Sequence, residues 1–167
     1  MLDRSISFAR LIDPVTPADF LASSFDKKPL LVPGEADKFA HVFSWDRLNQ
    51  MLNMTNVWSA KNLRLAFEGD VIPAEQYCVS RMGRDGEKVM RPIFPRIEDH
   101  LERGATLNLN FAEMLDPGLA SAALSLMMRF AAPIECNVYS SWKGVQAFNP
   151  HFDSMDVFVL HLSLIHI

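Results

Sequence analysis

Near the end of the 167-residue chain, "NPHFDSMDVFVL" sets His151 and Asp153 two positions apart at the mouth of an apolar stretch. In a strand, residues i and i+2 project to one face, so an imidazole and a carboxylate would stand side by side. Such a pair can supply two of the three ligands of a two-histidine, one-carboxylate facial triad. The open positions of that triad suit ferrous iron and dioxygen chemistry. The competing reading is an ordinary polar turn leading into a core strand, and the motif by itself favours it. Context shifts the balance. Pro150 marks the entrance to the strand, and the apolar run over 157–160 suits a strand that is then buried. Upstream, Asn137 and Tyr139 form a second i, i+2 pair. An amide and a phenol on one strand face could hydrogen-bond a small dicarboxylate. Spacing alone favours a plainer role for them, satisfying neighbouring backbone.

Other chemistry is weaker. His41 and His100 have no partner at ligand spacing and are expected at the surface. His161 and His166 are five apart in an expected strand and would face opposite sides. Ser140 and Ser141 lack the glycines of a nucleophile elbow, and no glycine-rich phosphate loop occurs. The nine methionines, Met127 and Met128 among them, suit core filling. Cys78 and Cys136 lack CxxC pairing, which fits a reducing compartment where each is a small buried side chain.

The elements that must position these residues follow from local pattern. Thr16 and Pro17 open a helix to about residue 25, and "KKPLLVPG" (27–34) suggests a short strand between prolines. Ser44 caps a helix over 45–53, with Asp46 in its first turn. "NLRLAFEG" (62–69) alternates as a half-buried strand, and "RDGE" (84–87) carries a tight turn. A helix is expected over 95–105 with Gly104 as its stop, then a strand over 105–111. The clearest helix runs over 117–129 and ends before Pro133. Strands over 134–141 and 151–162 follow. Helices crowd the first 130 residues and strands dominate the end. That order predicts an α+β chain whose jelly-roll or cupin barrel is only beginning.

Bulk properties narrow the function. At 49% hydrophobic and 22% charged residues the composition is that of an ordinary globular chain. A net charge of −4 gives no nucleic-acid signature. No apolar run reaches membrane-spanning length and no leader is visible at the start, so a cytoplasmic protein is expected. After Lys143 the only charges are Asp153 and Asp156, and "LHLSLIHI" is apolar to its last residue. The chain is therefore expected to be an N-terminal fragment.

Along most of its length the chain resembles the cupin-like JmjC family of Fe(II)/2-oxoglutarate-dependent oxygenases, of the ribosomal-oxygenase type. The resemblance rests on "FLASSFDKKPLLVPG", "FSWDRLNQML", "GATLNLNF" and above all "CNVYSSWKGVQAFNPHFDSMDVFVLHL". It implies a helical N-terminal part leading into an incomplete double-stranded β-helix. Residues 1–104 would form the N-terminal α/β part, 105–163 the start of the cupin core, and 164–167 an atypical tail. By the same resemblance His151 and Asp153 are iron ligands, and Asn137 and Tyr139 face the 2-oxoglutarate pocket. The implied reaction converts 2-oxoglutarate to succinate and hydroxylates a protein side chain, with a ribosomal protein as the type of substrate. A homodimer of a longer protein also fits that family.

Three departures accompany the resemblance. His166 stands where the family has a Lys or Arg that pairs the 2-oxoglutarate carboxylate, the distal histidine ligand has no counterpart, and "SSWKG" replaces a Thr-Pro-containing turn. Little or no turnover is expected of the 167 residues alone. A catalytically inactive cupin-like scaffold that binds a protein partner is the alternative. A cupin-type isomerase or small-molecule dioxygenase would call for further histidines near His151, which the sequence lacks.

Overall fold

A computed structural model describes residues 6–83, 85–142 and 144–162. These divide into two units that interleave in sequence. One takes the residues up to Asn49, then Glu113–Cys136 and the segment from Val159; the other takes Gln50–Ala112 and Asn137–Phe158.

The first unit is helical. Helix α1 spans Phe8–Ile12, and its N-cap Ser7 accepts from the Arg10 N–H at 3.3 Å. Helix α2 spans Pro17–Ser23, with Thr16 Oγ1 accepting from the Asp19 N–H at 3.1 Å and Pro17 in the first turn, as the sequence predicts. Beyond the end of α2, the Phe25 ring stacks on Phe130 at 4.9 Å. Phe8 meets Phe20 at 5.6 Å and Phe130 at 5.4 Å, both edge-on, which is the arrangement the ring quadrupoles favour. The segment 27–34 is not a strand: it is irregular, and Leu31 is exposed. Pro29 and Pro33 remove two backbone donors, and among the described residues no strand pairs with it.

Ser44 opens helix α3, Trp45–Leu52, where its Oγ accepts from the Arg47 N–H at 3.4 Å. The first unit's longest helix, named α5 in chain order, is Pro117–Phe130. Its buried residues Leu119, Ala122, Ala123 and Leu126 recur at three- and four-residue intervals and so share one face. Asp116 caps it through hydrogen bonds from the N–H groups of Gly118 (2.8 Å) and Leu119 (3.0 Å). Ala131, at φ 52°, turns the chain out of the helix ahead of Pro133.

The second unit holds the sheets. Strands β1 (Leu63–Phe67), β2 (Asp70–Val71), β5 (Thr106–Leu109) and β6 (Val138–Ser140) form one antiparallel sheet in the order β2-β1-β5-β6. Register places Leu63 opposite Leu109 and Leu65 opposite Leu107, while Leu109 also faces Val138; all five are buried. The other face carries Arg64, Thr106, Asn108 and Tyr139. Alternation of apolar and polar residues in "NLRLAF" and "TLNLN" thus becomes two faces of a sheet. Glu68 and Gly69 link β1 to β2 at φ 50° and 96°, the left-handed pair that a tight two-residue hairpin requires.

Strands β3 (Cys78–Met82) and β4 (Lys88–Pro92) form a separate hairpin. The turn expected at 84–87 joins them, with Gly86 at φ 82°; Arg84 lies outside the described residues. Helix α4 covers Phe94–Glu102, and Gly104 follows at φ 98° as the expected stop. Arg91 donates to the carbonyls of Asn56 (2.7 Å) and Trp58 (3.0 Å), holding the loop that buries Trp58.

The last expected strand is also absent. Residues 151–162 are irregular, and after the bridge between Gly69 and Phe148 no ladder pairs them among the described residues. A strand exists only by hydrogen bonding to a neighbour, so an apolar run without one leaves an open segment. The strand expected over 134–141 contracts to β6 for the same reason, since β5 offers it a register of three residues. The tail 164–167, with His166, lies outside the described residues, as does Lys143. The described architecture is a mixed α+β one.

Candidate functional site

All four residues singled out by spacing fall in the second unit. Tyr139 lies in β6, paired with Asn108, and is 55% exposed. Asn137 immediately precedes that strand and is exposed. His151 and Asp153 are exposed on the irregular segment after Pro150, so no strand pleat turns them to one face as the sequence predicts.

Aromatic contacts tie the two pairs together. The Phe148 ring meets Tyr139 edge-on at 6.3 Å and His151 at 6.1 Å. Phe148 is anchored in turn by its bridge to Gly69 at the β1–β2 turn. Gly69 suits this place because its φ is positive, and a Cβ there would stand 2.7 Å from the end of the Asn149 side chain and displace it. Spacing rules single out polar pairs and pass over Phe148, an aromatic with no partner at a fixed offset. Beside this segment a cleft of about 420 Å³ is lined by Phe67, Glu68, Gly144, Val145, Gln146 and Asn149.

The donor chemistry bears on what could bind. His151 Nδ1 lies 2.8 Å from the Asn149 carbonyl oxygen. A carbonyl only accepts, so Nδ1 carries the proton and donates. In the neutral ring that leaves Nε2 with its lone pair, the state in which an imidazole binds a metal. Histidine ligands usually hold their other nitrogen in this way. Asp153 is exposed, and among the described residues no ion pair engages its carboxylate. One imidazole and one carboxylate therefore fit a ferrous ion in type and availability. Among the described residues no group of three metal-ligating side chains occurs.

The remaining titratable groups do other work. His100, expected at the surface, is half-buried with its ring edge-on to Tyr77 at 6.3 Å. Burial pushes the Tyr77 hydroxyl pKa up, with the Cys78 thiol adding to it. Cys78 is buried as expected and its thiol is likewise raised. Cys136 is half-buried, and its thiol is pushed up to about 11 by desolvation, then by the nearby Glu113 and Asp116 carboxylates. Neither thiol is tuned as a nucleophile. No helix among the described residues is long and apolar enough to cross a membrane.

Comparison with known proteins gives an independent reading. Residues 119–163 match the family model described as the JmjC domain. The chain is 26% identical over 157 residues to the bifunctional lysine-specific demethylase and histidyl-hydroxylase NO66 of Branchiostoma floridae, covering 93% of this chain and 24% of that protein. It is 26% identical over 155 residues to the protein of the same name from Dictyostelium discoideum, covering 92% of this chain and 28% of the relative. It is 25% identical over 156 residues to ribosomal oxygenase 1 of Danio rerio, covering 93% and 27%. The chain thus spans about a quarter of the length of these curated relatives.

Proposed function

We propose that this chain, which is similar to ribosomal oxygenases and matches the JmjC domain model over residues 119–163, forms part of an Fe(II)- and 2-oxoglutarate-dependent dioxygenase that hydroxylates a protein side chain. In this reading the sheet β2-β1-β5-β6 is the opening of a double-stranded β-helix. His151 and Asp153 would hold the ferrous ion. Asn137 and Tyr139 would face 2-oxoglutarate, the amide and phenol offering hydrogen bonds to its carboxylates. When bound, ferrous iron with 2-oxoglutarate activates dioxygen and yields succinate, carbon dioxide and a hydroxylated carbon.

The observation that carries the reading is the hydrogen bond from His151 Nδ1 to the Asn149 carbonyl. With the proton on Nδ1, Nε2 of the neutral ring keeps its lone pair, and the Asp153 carboxylate two residues on is exposed. Phe148 braces the His151 ring, so the chain's own contribution is an accessible imidazole and an accessible carboxylate close in sequence. The names of the relatives, a histidyl-hydroxylase and a ribosomal oxygenase, support a protein substrate of ribosomal type.

Anaerobic titration with Fe(II) and 2-oxoglutarate tests this. The weak metal-to-ligand absorbance of the ternary complex is expected, and it should vanish in the variant His151→Ala/Asp153→Ala. Absorbance that persists undiminished in the variant would refute the assignment. A second reading, a catalytically inactive scaffold, is favoured by the lack of a three-ligand group among the described residues. It predicts partner binding that is unchanged by the same double substitution and by chelation of metal.

A further inference from the structure

The cleft of about 420 Å³ stands beside the candidate metal ligands, yet neither His151 nor Asp153 lines it. Asn149 connects the two places. Its carbonyl accepts from His151 Nδ1 at 2.8 Å, and it also forms part of the cleft wall. A volume of this size lies within the ordinary range for ligand pockets, roughly 300–1,000 Å³. Part of the lining is apolar. Phe67 and Val145 both lie against Gly104, where an added Cβ would stand 3.3 Å and 3.7 Å from them. The polar part offers acceptors. Glu68 is exposed, and among the described residues no ion pair engages its carboxylate and no cation lines the cleft. Asp70 stands opposite Phe67 in the hairpin, so a second exposed carboxylate shares the face of that ring. Gln146 donates Nε2 to the Phe148 carbonyl at 3.0 Å, which leaves its Oε1 as an acceptor. Glu68 also holds φ 50° in the two-residue turn, a place that glycine, asparagine or aspartate fills at less cost. A residue kept there against local preference points to a function for its side chain.

We propose that this cleft is a substrate-recognition subsite that takes a basic side chain, arginine or lysine, from the protein segment whose reacting residue is presented at His151 and Asp153. The inference rests on the oxygenase reading above and adds a second point of attachment, distinct from the reacting residue. Arginine and lysine carry a cation with several N–H donors on an apolar stem. The stem suits Phe67 and Val145. The head suits the Glu68 carboxylate and the Gln146 Oε1, and a cation also gains from the Phe67 ring face. An acidic side chain would meet Glu68 and Asp70 as like charges, and 2-oxoglutarate, a dianion with acceptor oxygens alone, is disfavoured for the same reason. A plain aliphatic side chain would fill the apolar part and leave both acceptors unserved.

The test follows the Val145 methyl and Phe67 ring signals by NMR in the full chain, with Zn(II) as a redox-silent metal. Two matched pairs of probes are titrated: N-acetylarginine methylamide against its citrulline counterpart, and N-acetyllysine methylamide against its norleucine counterpart. Within each pair the stem and backbone are alike and the charge differs. The charged member should shift the signals, and the neutral one should do so only weakly. Glu68→Gln should weaken the arginine probe about three- to fivefold, the size of an exposed ion pair, and high salt should weaken it as well. Glu68→Asn suits the left-handed turn, so it should raise the urea midpoint while losing the probe. The variant His151→Ala/Asp153→Ala should bind the basic probes as before. Lys143, next to Gly144, lies outside the described residues, and Lys143→Ala should keep the same selectivity. Equal responses within a pair, unchanged affinity in Glu68→Gln or Glu68→Asn, or selectivity lost in Lys143→Ala or in the double variant would overturn the proposal. Flat responses to both basic probes while Zn(II) and 2-oxoglutarate still bind would overturn this inference alone. Charge selectivity without Zn(II) or 2-oxoglutarate binding would overturn the oxygenase reading and leave the cleft a site for basic side chains.

Discussion

Replacing Asp116 with alanine should be among the costliest single changes in the helical unit. The carboxylate is 2% exposed and serves two partners at once. One oxygen accepts from the Gly118 and Leu119 N–H groups at 2.8 and 3.0 Å, satisfying two free donors at the start of α5. The other accepts from Arg47 Nε and lies equally close, at 2.7 Å, to a second guanidinium nitrogen. Loss of an N-cap costs about 1 kcal/mol. A two-point charged interaction adds about 1.5–2 kcal/mol, the lower part of its range, because the Arg47 side chain is 39% exposed and partly hydrated once released. The sum is about 3 kcal/mol, or a fall in Tm of roughly 6–12 °C for a chain of this size.

Urea unfolding followed by circular dichroism at the helix band measures it, with Asp116→Ser and Arg47→Ala as companions. Serine keeps the cap and should lose only the ionic part, about 2 kcal/mol. In Arg47→Ala/Asp116→Ala the costs should fall short of additive by about 1–2 kcal/mol, the coupling of the pair. If Asp116→Ala costs under about 0.5 kcal/mol, or the cycle shows no coupling, the account of this junction is wrong.

Gly118→Ala should destabilise by ~3 kcal/mol although its φ is unremarkable, because a Cβ there would stand 1.9 Å from the Val42 carbonyl oxygen; equilibrium unfolding reads it. Cys136, raised from 9.0 to about 11, should react with a disulfide reagent at pH 8 about tenfold more slowly than an ordinary thiol, the smaller thiolate fraction being partly offset by the greater nucleophilicity of a more basic thiolate, and Glu113→Gln should speed it. Its folded pKa lies above its unfolded one. It therefore favours the folded state fully below about pH 9, and that contribution is lost as pH rises towards 11, which a urea midpoint series across that window measures in comparison with Cys136→Ala.

Much of the local structure is legible without coordinates. Thr16-Pro17, Ser44 and the glycines at 86 and 104 act through their own backbone geometry and caps, so each marks its turn or helix end as read. The alternation in "NLRLAF" and "TLNLN" likewise yields strands with the leucines on one buried face, although β5 is buried on its polar face as well. The expected strands at 27–34 and 151–162 do not form, because an apolar stretch, whether bounded by prolines or not, says nothing of whether a neighbouring strand is present to pair with.

The candidate site divides along the same line. The sequence by itself determined which donors exist, their order along the chain, and a family resemblance with which the match over 119–163 agrees. Only the tertiary structure decided that Phe148 bridges Tyr139 to His151, that a backbone carbonyl sets the tautomer of His151, and that Asn108 is buried with an unmet acceptor between Arg64 and Tyr139. Residue types and spacings are local properties. Strand register, ring contacts and the burial of one amide oxygen depend on segments distant in sequence, and no period or motif encodes them.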